Sequence, residues 1–207
     1  MAKVLITIIG TGNPINRSYK PALYKIGDKE YETEFIAKAL VQHYQIDKIF
    51  MLGTAKSMWE EVYLSFSKEE DQDKMLSRAG KIEEKIKKGG YDKCLIDEGD
   101  LKLISNTIEE YLGYQGSKCY LLKYGLNDQE IMENFNVFLE IEKELNDGDE
   151  IYLDITHSFR SLAIFQYMMI NFAENVSKKD IKIKGIFYGM LDVYGQILKI
   201  LKKLYYY

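Results

Sequence analysis

Ile151-Tyr152-Leu153 is an apolar run of strand type that stops at an acid, Asp154. It passes through Thr156, His157, Ser158 and Arg160 into residues 162–170, an apolar segment of helical length that reads as a buried helix. Strand, polar turn and helix in that order belong to the crossover connections of a parallel sheet, and they set the turn at the sheet's carboxyl edge, where ligands bind in such folds. The turn also faces the unpaired N–H groups of a helix N-terminus, a natural seat for an anion. One of only two histidines (His43, His157) and one of only three arginines (Arg17, Arg78, Arg160) lie in it.

The same alternation recurs along the chain. Residues 4–9 are an apolar run ending at Gly10-Thr11-Gly12, and read as a buried first strand. Residues 22–26 and 29–31 flank Gly27-Asp28, the signature of a hairpin. A helix is expected over 33–44, with Thr33 as its cap and Phe35, Ile36, Ala39 and Leu40 on one face. Residues 48–52 form the next strand, closing at Gly53-Thr54-Ala55-Lys56-Ser57, and Ser57-Met58-Trp59 starts a helix. Residues 73–88 are charged and helical up to Gly89-Gly90. Further strands are expected at 91–96, 118–122, 151–154 and 181–188, and helices at 100–112 and 127–145. Residues 195–204 suit either a strand or a helix. Strands alternating with helices predict an α/β fold with a mostly parallel sheet, helices on both faces and a small hairpin near the N-terminus.

The chain of 207 residues suits one domain, and 46% hydrophobic residues support a sizeable core. The charged block at about 68–90 reads as a solvated helical insertion, or else a dimer arm. The formal charge of −4 argues against a general DNA-duplex surface, so an anionic ligand needs a local positive rim. Seventeen tyrosines suit sheet edges, an interface or a pocket. Cys94 and Cys119 read as reduced, buried thiols, and two cysteines with two distant histidines do not make a zinc site. Residues 1–3 lead straight into a strand and no apolar run reaches the roughly 18 to 20 residues of a membrane span. A cytoplasmic protein without a membrane partner is expected. The final Leu204-Tyr205-Tyr206-Tyr207 is either a natural end or the edge of a domain of a longer protein.

Three turns therefore gather polar and small residues at one sheet edge: Gly10-Thr11-Gly12, the stretch from Gly53 to Ser57, and Thr156-His157-Ser158. Arg17, Lys20, Lys56 and Arg160 supply cations, and the group reads as a phosphate-binding rim. The same residue types also suit ordinary strand-to-helix turns. Asp154 is open to capping the helix or bonding to its own turn. Thr156 and Ser158 are caps or phosphate donors, and His157 is a structural or a ligand-contacting imidazole. Arg160 in the first helical turn opposes the helix dipole unless an anion binds there. His43 reads as an incidental surface residue. A nicotinamide or flavin site is disfavoured, since Ile15 stands where a third glycine belongs and Pro14 interrupts any helix. Neither a Walker-type Gly-Lys-Ser/Thr nor a Gly-x-Ser-x-Gly elbow occurs.

Asp154-Ile155-Thr156-His157, with Ser158 in the usual glycine position, resembles the Asp-x-Thr-His-Gly motif of CARF-domain proteins of type III CRISPR systems. Phe50-Met51-Leu52-Gly53-Thr54 with Ser57-Met58-Trp59 matches as well. So do Gly10-Thr11-Gly12, Tyr24-Lys25-Ile26, Glu30-Tyr31-Glu32-Thr33 and Gly185-Ile186-Phe187-Tyr188-Gly189, and the likeness runs from the first strand to about residue 190. The resemblance implies a Rossmann-like domain that forms a homodimer and binds a cyclic oligoadenylate, most often cyclic tetra-adenylate. It implies ligand contacts at Gly10, Thr11, Gly12, Asn13, Arg17, Gly53, Thr54, Asp154 and Thr156. Two activities stay open. A ring nuclease would cleave the ring without metal or other cofactor, by attack of a ribose 2′-hydroxyl on its own phosphate. His157 would then serve as acid/base or phosphate donor, Arg160 and Lys56 would stabilise charge, and Thr11, Thr156 and Ser158 would donate to phosphate oxygens. A sensor would bind the ring and signal to an effector. No effector segment is expected after about residue 200, no Arg…His ribonuclease motif is present, and no basic helix-turn-helix favours a transcriptional regulator.

Overall fold

The computed structural model describes residues 1–12, 21–89, 93–157, 160–175, 179–189 and 197–199, with backbone alone at 160, 161 and 197–199. In chain order the elements are β1 (Lys3–Ile8), β2 (Ala22–Ile26), β3 (Lys29–Thr33), α1 (Ile36–Tyr44), β4 (Lys48–Thr54), α2 (Trp59–Phe66), α3 (Gln72–Lys88), α4 (Glu98–Leu112), β5 (Lys118–Leu122), α5 (Asp128–Glu144), β6 (Glu150–Asp154), α6 (Arg160–Asn175), β7 (Lys182–Phe187) and β8 (Ile197–Lys199). Five strands pair in the order β5-β4-β1-β6-β7, every pairing parallel. β2 and β3 make the antiparallel hairpin, which β8 joins in parallel beside β2. The α/β, Rossmann-like expectation holds.

Alternation along the central strands divides the core. Leu5, Ile9, Ile49, Met51, Tyr152 and Phe187 face α1 to α4 and the hairpin, meeting Leu40, Trp59, Ile82 and Ile104. Val4, Ile6, Ile8, Phe50, Leu52 and Leu153 face the other way, against Phe138 and Ile141 of α5 and Leu162 and Ile170 of α6. All seven residues of β4 are buried. Each large side chain withdrawn from water this way stabilises the fold by about 1.5–3 kcal/mol.

Several element ends differ from expectation for identifiable reasons. Thr33 does not cap α1; it pairs with Ala22 as the last residue of β3, and α1 begins at Ile36. Helix α4 starts earlier than expected because Asp97 and Asp100 form a reciprocal capping box. The strand expected over 91–96 is absent at 93–96, and residues 91 and 92 lie outside the described set. The place beside β4 is taken by β5. The segment packs instead on the end of α3, where Lys93 O would lie 2.9 Å from a Cβ on Gly89. The charged helix α3 buries Ala79, Ile82 and Ile86, and pairs Glu83 with Lys87 and Glu84 with Lys88 on its solvated side. Of residues 195–204 only 197–199 are described, as strand. Both cysteines are free thiols, and burial pushes the Cys119 thiol up to about 12. No helix among the described residues is long and apolar enough to cross a membrane.

Candidate functional site

The chain lays β4 and then β5 to one side of β1, and returns to place β6 and β7 on the other. The topological switch point is thus the crevice between β1 and β6, at their carboxyl ends. Thr7 and Asp154 stand opposite each other there. Thr7 Oγ1 donates to Asp154 Oδ2 at 2.6 Å, and the backbone N–H of Thr156 donates to Asp154 Oδ1 at 3.0 Å. Asp154 is fully buried and Thr7 is 2% exposed. Of the roles open to it, Asp154 adopts the bond to its own turn, and a hydroxyl from the neighbouring strand fixes it in place.

The turn is also stitched to β7. Ile155 N donates to Phe187 O at 2.9 Å, and Gly189 N donates to Thr156 Oγ1 at 2.9 Å. A hydroxyl that accepts in this way still has its own proton to donate. His157 follows, half-buried. Burial holds its imidazole below the ordinary histidine value, with the nearby Asp154 charge acting in the opposite sense. The neutral ring is therefore the species present at pH 7.

The turns after β1 and β4 are locked together. Thr54 N donates to Ser57 Oγ, and Ser57 Oγ donates to Ile9 O, both at 2.9 Å. Met58 N donates to Gly10 O at 3.1 Å, and Trp59 Nε1 donates to Thr54 O at 2.9 Å. A Cβ on Gly53 would lie 2.7 Å from both Ile9 Cγ1 and Trp59 Cζ2, so close packing explains this glycine. Gly12 has φ +68°, and a Cβ there would meet Met58 Sδ. Gly53 and Thr54 thus make their observed contacts inside the protein, whereas Gly10 and Gly12 are half-buried and Thr11 is exposed.

Lys56 faces α3. Its ammonium donates to Ile86 O at 2.7 Å and to Gly89 O. Asn13, Arg17, Lys20 and Ser158 lie outside the described residues, as does the side chain of Arg160, whose backbone opens α6. The site that the described residues assemble is therefore Gly10–Gly12 beside Asp154, Thr156 and His157. Among the described residues no three His, Cys, Asp or Glu side chains converge as metal ligands. His43 is not isolated: its Nδ1 lies 2.9 Å from Tyr31 Oη.

Two features go beyond what the sequence pattern singles out. Thr7 is one; its only signal is a hydroxyl interrupting the apolar run of β1. The other is α6, which reads as buried throughout but turns Ile164, Tyr167 and Met168 outward at 60%, 48% and 49% exposure. Their i, i+3, i+4 spacing is one helix face. Leu126, Ile131 and Met132, before and within the first turns of the adjoining α5, are exposed too.

With this geometry in place, the comparisons with known proteins are specific. The family described as CRISPR system endoribonuclease Csx1, CARF domain, matches residues 4–192. CRISPR-associated protein MJ1674 of Methanocaldococcus jannaschii is 43% identical over 211 aligned positions, which cover 95% of this chain and 32% of the relative. The chain thus spans about a third of that relative's length.

Proposed function

From the premise that this chain belongs to the Csx1 CARF-domain family of CRISPR-associated proteins, we propose that it binds a cyclic oligoadenylate, cyclic tetra-adenylate first among them, across a cytoplasmic homodimer. The observation that carries the reading is the pair of turns at the β1–β6 switch point. The turn after β6 is fixed from inside the protein by Thr7, Asp154 and Gly189, and the turn after β1 by Ser57 and Met58, so both backbones are ordered before any anion arrives. Pre-ordered donors lower the cost of binding a phosphate ring. Ring cleavage is the finer reading, and the neutral state of His157 favours it. An uncharged imidazole accepts the proton of a ribose 2′-hydroxyl as that oxygen attacks the adjacent phosphorus. The bond from phosphorus to the 5′-oxygen then breaks and that oxygen takes the proton back from the imidazolium, leaving a 2′,3′-cyclic phosphate and a 5′-hydroxyl.

One incubation tests both levels: the protein with cyclic tetra-adenylate and EDTA, followed by chromatography. Linear di-adenylate ending in a cyclic phosphate is the expected product of a ring nuclease. An intact ring that co-elutes with the protein removes the cleavage reading and leaves a sensor. A ring that neither binds nor changes, with the hexa-adenylate ring behaving alike, overturns the proposal.

The dimer draws support from the apolar face of α6. Ile164, Tyr167 and Met168, with Leu126, Ile131 and Met132 beside them, lie towards the N-terminal ends of two packed helices, the same edge as the turns. A second copy seated there would complete a two-fold site for a two-fold ring. Light scattering should return twice the 24.2 kDa chain mass. Ile164→Glu with Met168→Glu should return the single mass and weaken ring binding roughly tenfold or more, since buried charges oppose the seam. A wild type of single mass at working concentration removes the dimer.

A further inference from the structure

Lys56 sits between the rim and a helix that has no part in it. The turn carrying Lys56 is fixed to the β1 turn through Ser57 Oγ to Ile9 O and Met58 N to Gly10 O. The Lys56 ammonium reaches away and donates to Ile86 O and Gly89 O, at the C-terminal end of α3. Those acceptors belong to the end of a helix, where carbonyls lack intrahelical partners and the dipole is negative. The same end of α3 is held from the other side by Lys85, whose ammonium lies 2.6 Å from Asp97 Oδ2 and 2.7 Å from Asp100 Oδ2 at the start of α4. Two lysines therefore fasten one helix end, one to the rim and one to α4.

The two fastenings differ in what can displace them. Lys85 is paired with carboxylates, whereas Lys56 holds neutral carbonyls. A multiply charged phosphate ligand at the rim is a stronger acceptor for an ammonium than two carbonyls are. The flexible four-carbon stem of lysine allows the exchange without moving the turn. We propose that Lys56 is a ligand-responsive latch: an oligoadenylate phosphate draws its ammonium off Ile86 O and Gly89 O and frees the end of α3 from the rim. This rests on the ring-binding reading above and adds to it a route by which occupancy is felt at α3 and α4. The rim turn stays where Ser57 holds it, and the helix end stays with α4 through Lys85.

Hydrogen exchange on the full chain, with and without saturating cyclic tetra-adenylate, tests the latch. In the wild type the ring should slow exchange in the Asp154–His157 turn and speed it about fivefold at residues 85–89, the loss expected for one charged helix-end contact. Lys56→Met should show the faster exchange at 85–89 without ligand and no further change with it. Slowing at the turn with unchanged exchange at 85–89 in the wild type overturns the latch and leaves ring binding standing. No slowing anywhere overturns both. The wild-type comparison decides the matter without the variant.

Discussion

Asp154→Ala should weaken ring binding roughly 30-fold or more, while the chain still folds. The carboxylate is fully buried and contacts no solvent, so its effect on a ligand runs through what it holds. It accepts from Thr7 Oγ1 across the switch point and from Thr156 N within the turn. Removing it orphans the Thr7 hydroxyl, which is 2% exposed and cannot turn to water, and releases the backbone that carries Thr156 and His157. The stability cost is about 2–4 kcal/mol, one buried unpaired hydroxyl plus one lost charged acceptor. The binding cost is roughly 30-fold or more, because at least about 2 kcal/mol of donor alignment is lost. Thr7→Val in the Asp154→Ala background separates the two effects. Deleting the orphaned hydroxyl should restore part of the stability in urea titration, yet calorimetry should find no recovered affinity. Wild-type affinity in Asp154→Ala would mean that the turn is not the binding element.

The contrast between Asp154 and its surroundings also says what a sequence can reveal. The parallel sheet was legible because β1, β4 and β6 must be apolar on both faces, a demand that leaves continuous runs such as Ile49-Phe50-Met51-Leu52. The ends were less legible. The run at 91–96 has strand-like composition, but composition does not say which run the sheet takes up, and the place beside β4 goes to β5, more than twenty residues downstream. Gly53 looked like a phosphate-approach glycine; its packing against Ile9 and Trp59 is a tertiary fact with the same one-letter signature. Lys56 looked like a rim cation, and only the position of α3 shows where its ammonium rests. Thr7 carries no local signal beyond its hydroxyl, since its partner lies 147 residues away. The outward face of α6 was in the sequence as Ile164, Tyr167 and Met168, hidden because the helix is apolar on its inner face as well.

Asp149→Ala should lower stability by about 3–5 kcal/mol and leave the ring affinity of the folded protein unchanged. Asp149 precedes β6 as Asp154 ends it, and it is just as buried, at 1% exposure. Its Oδ1 accepts from Ala2 N at 2.8 Å, and its Oδ2 accepts from Asn146 N at 3.0 Å and lies 3.5 Å from Lys48 Nζ. The Lys48 side chain is 8% exposed, so the alanine variant strands an ammonium in the interior. Losing one partner of a buried ion pair costs more than the pair contributes, because the survivor stays desolvated. Asp149→Asn, which keeps an acceptor for Ala2 N, should cost less. So should Lys48→Met, since the methionine is apolar and Asp149 retains two N–H donors. Against a total stability on the order of 5–15 kcal/mol, the alanine loss should be plain in thermal melts. The two aspartates bracket the same apolar run. Strand direction separates them: in a parallel sheet the amino end builds the fold and the carboxyl end builds the site. If Asp149→Ala lost ring affinity in proportion to Asp154→Ala after correction for the folded fraction, that division would fail, and the binding loss in both would be a loss of fold.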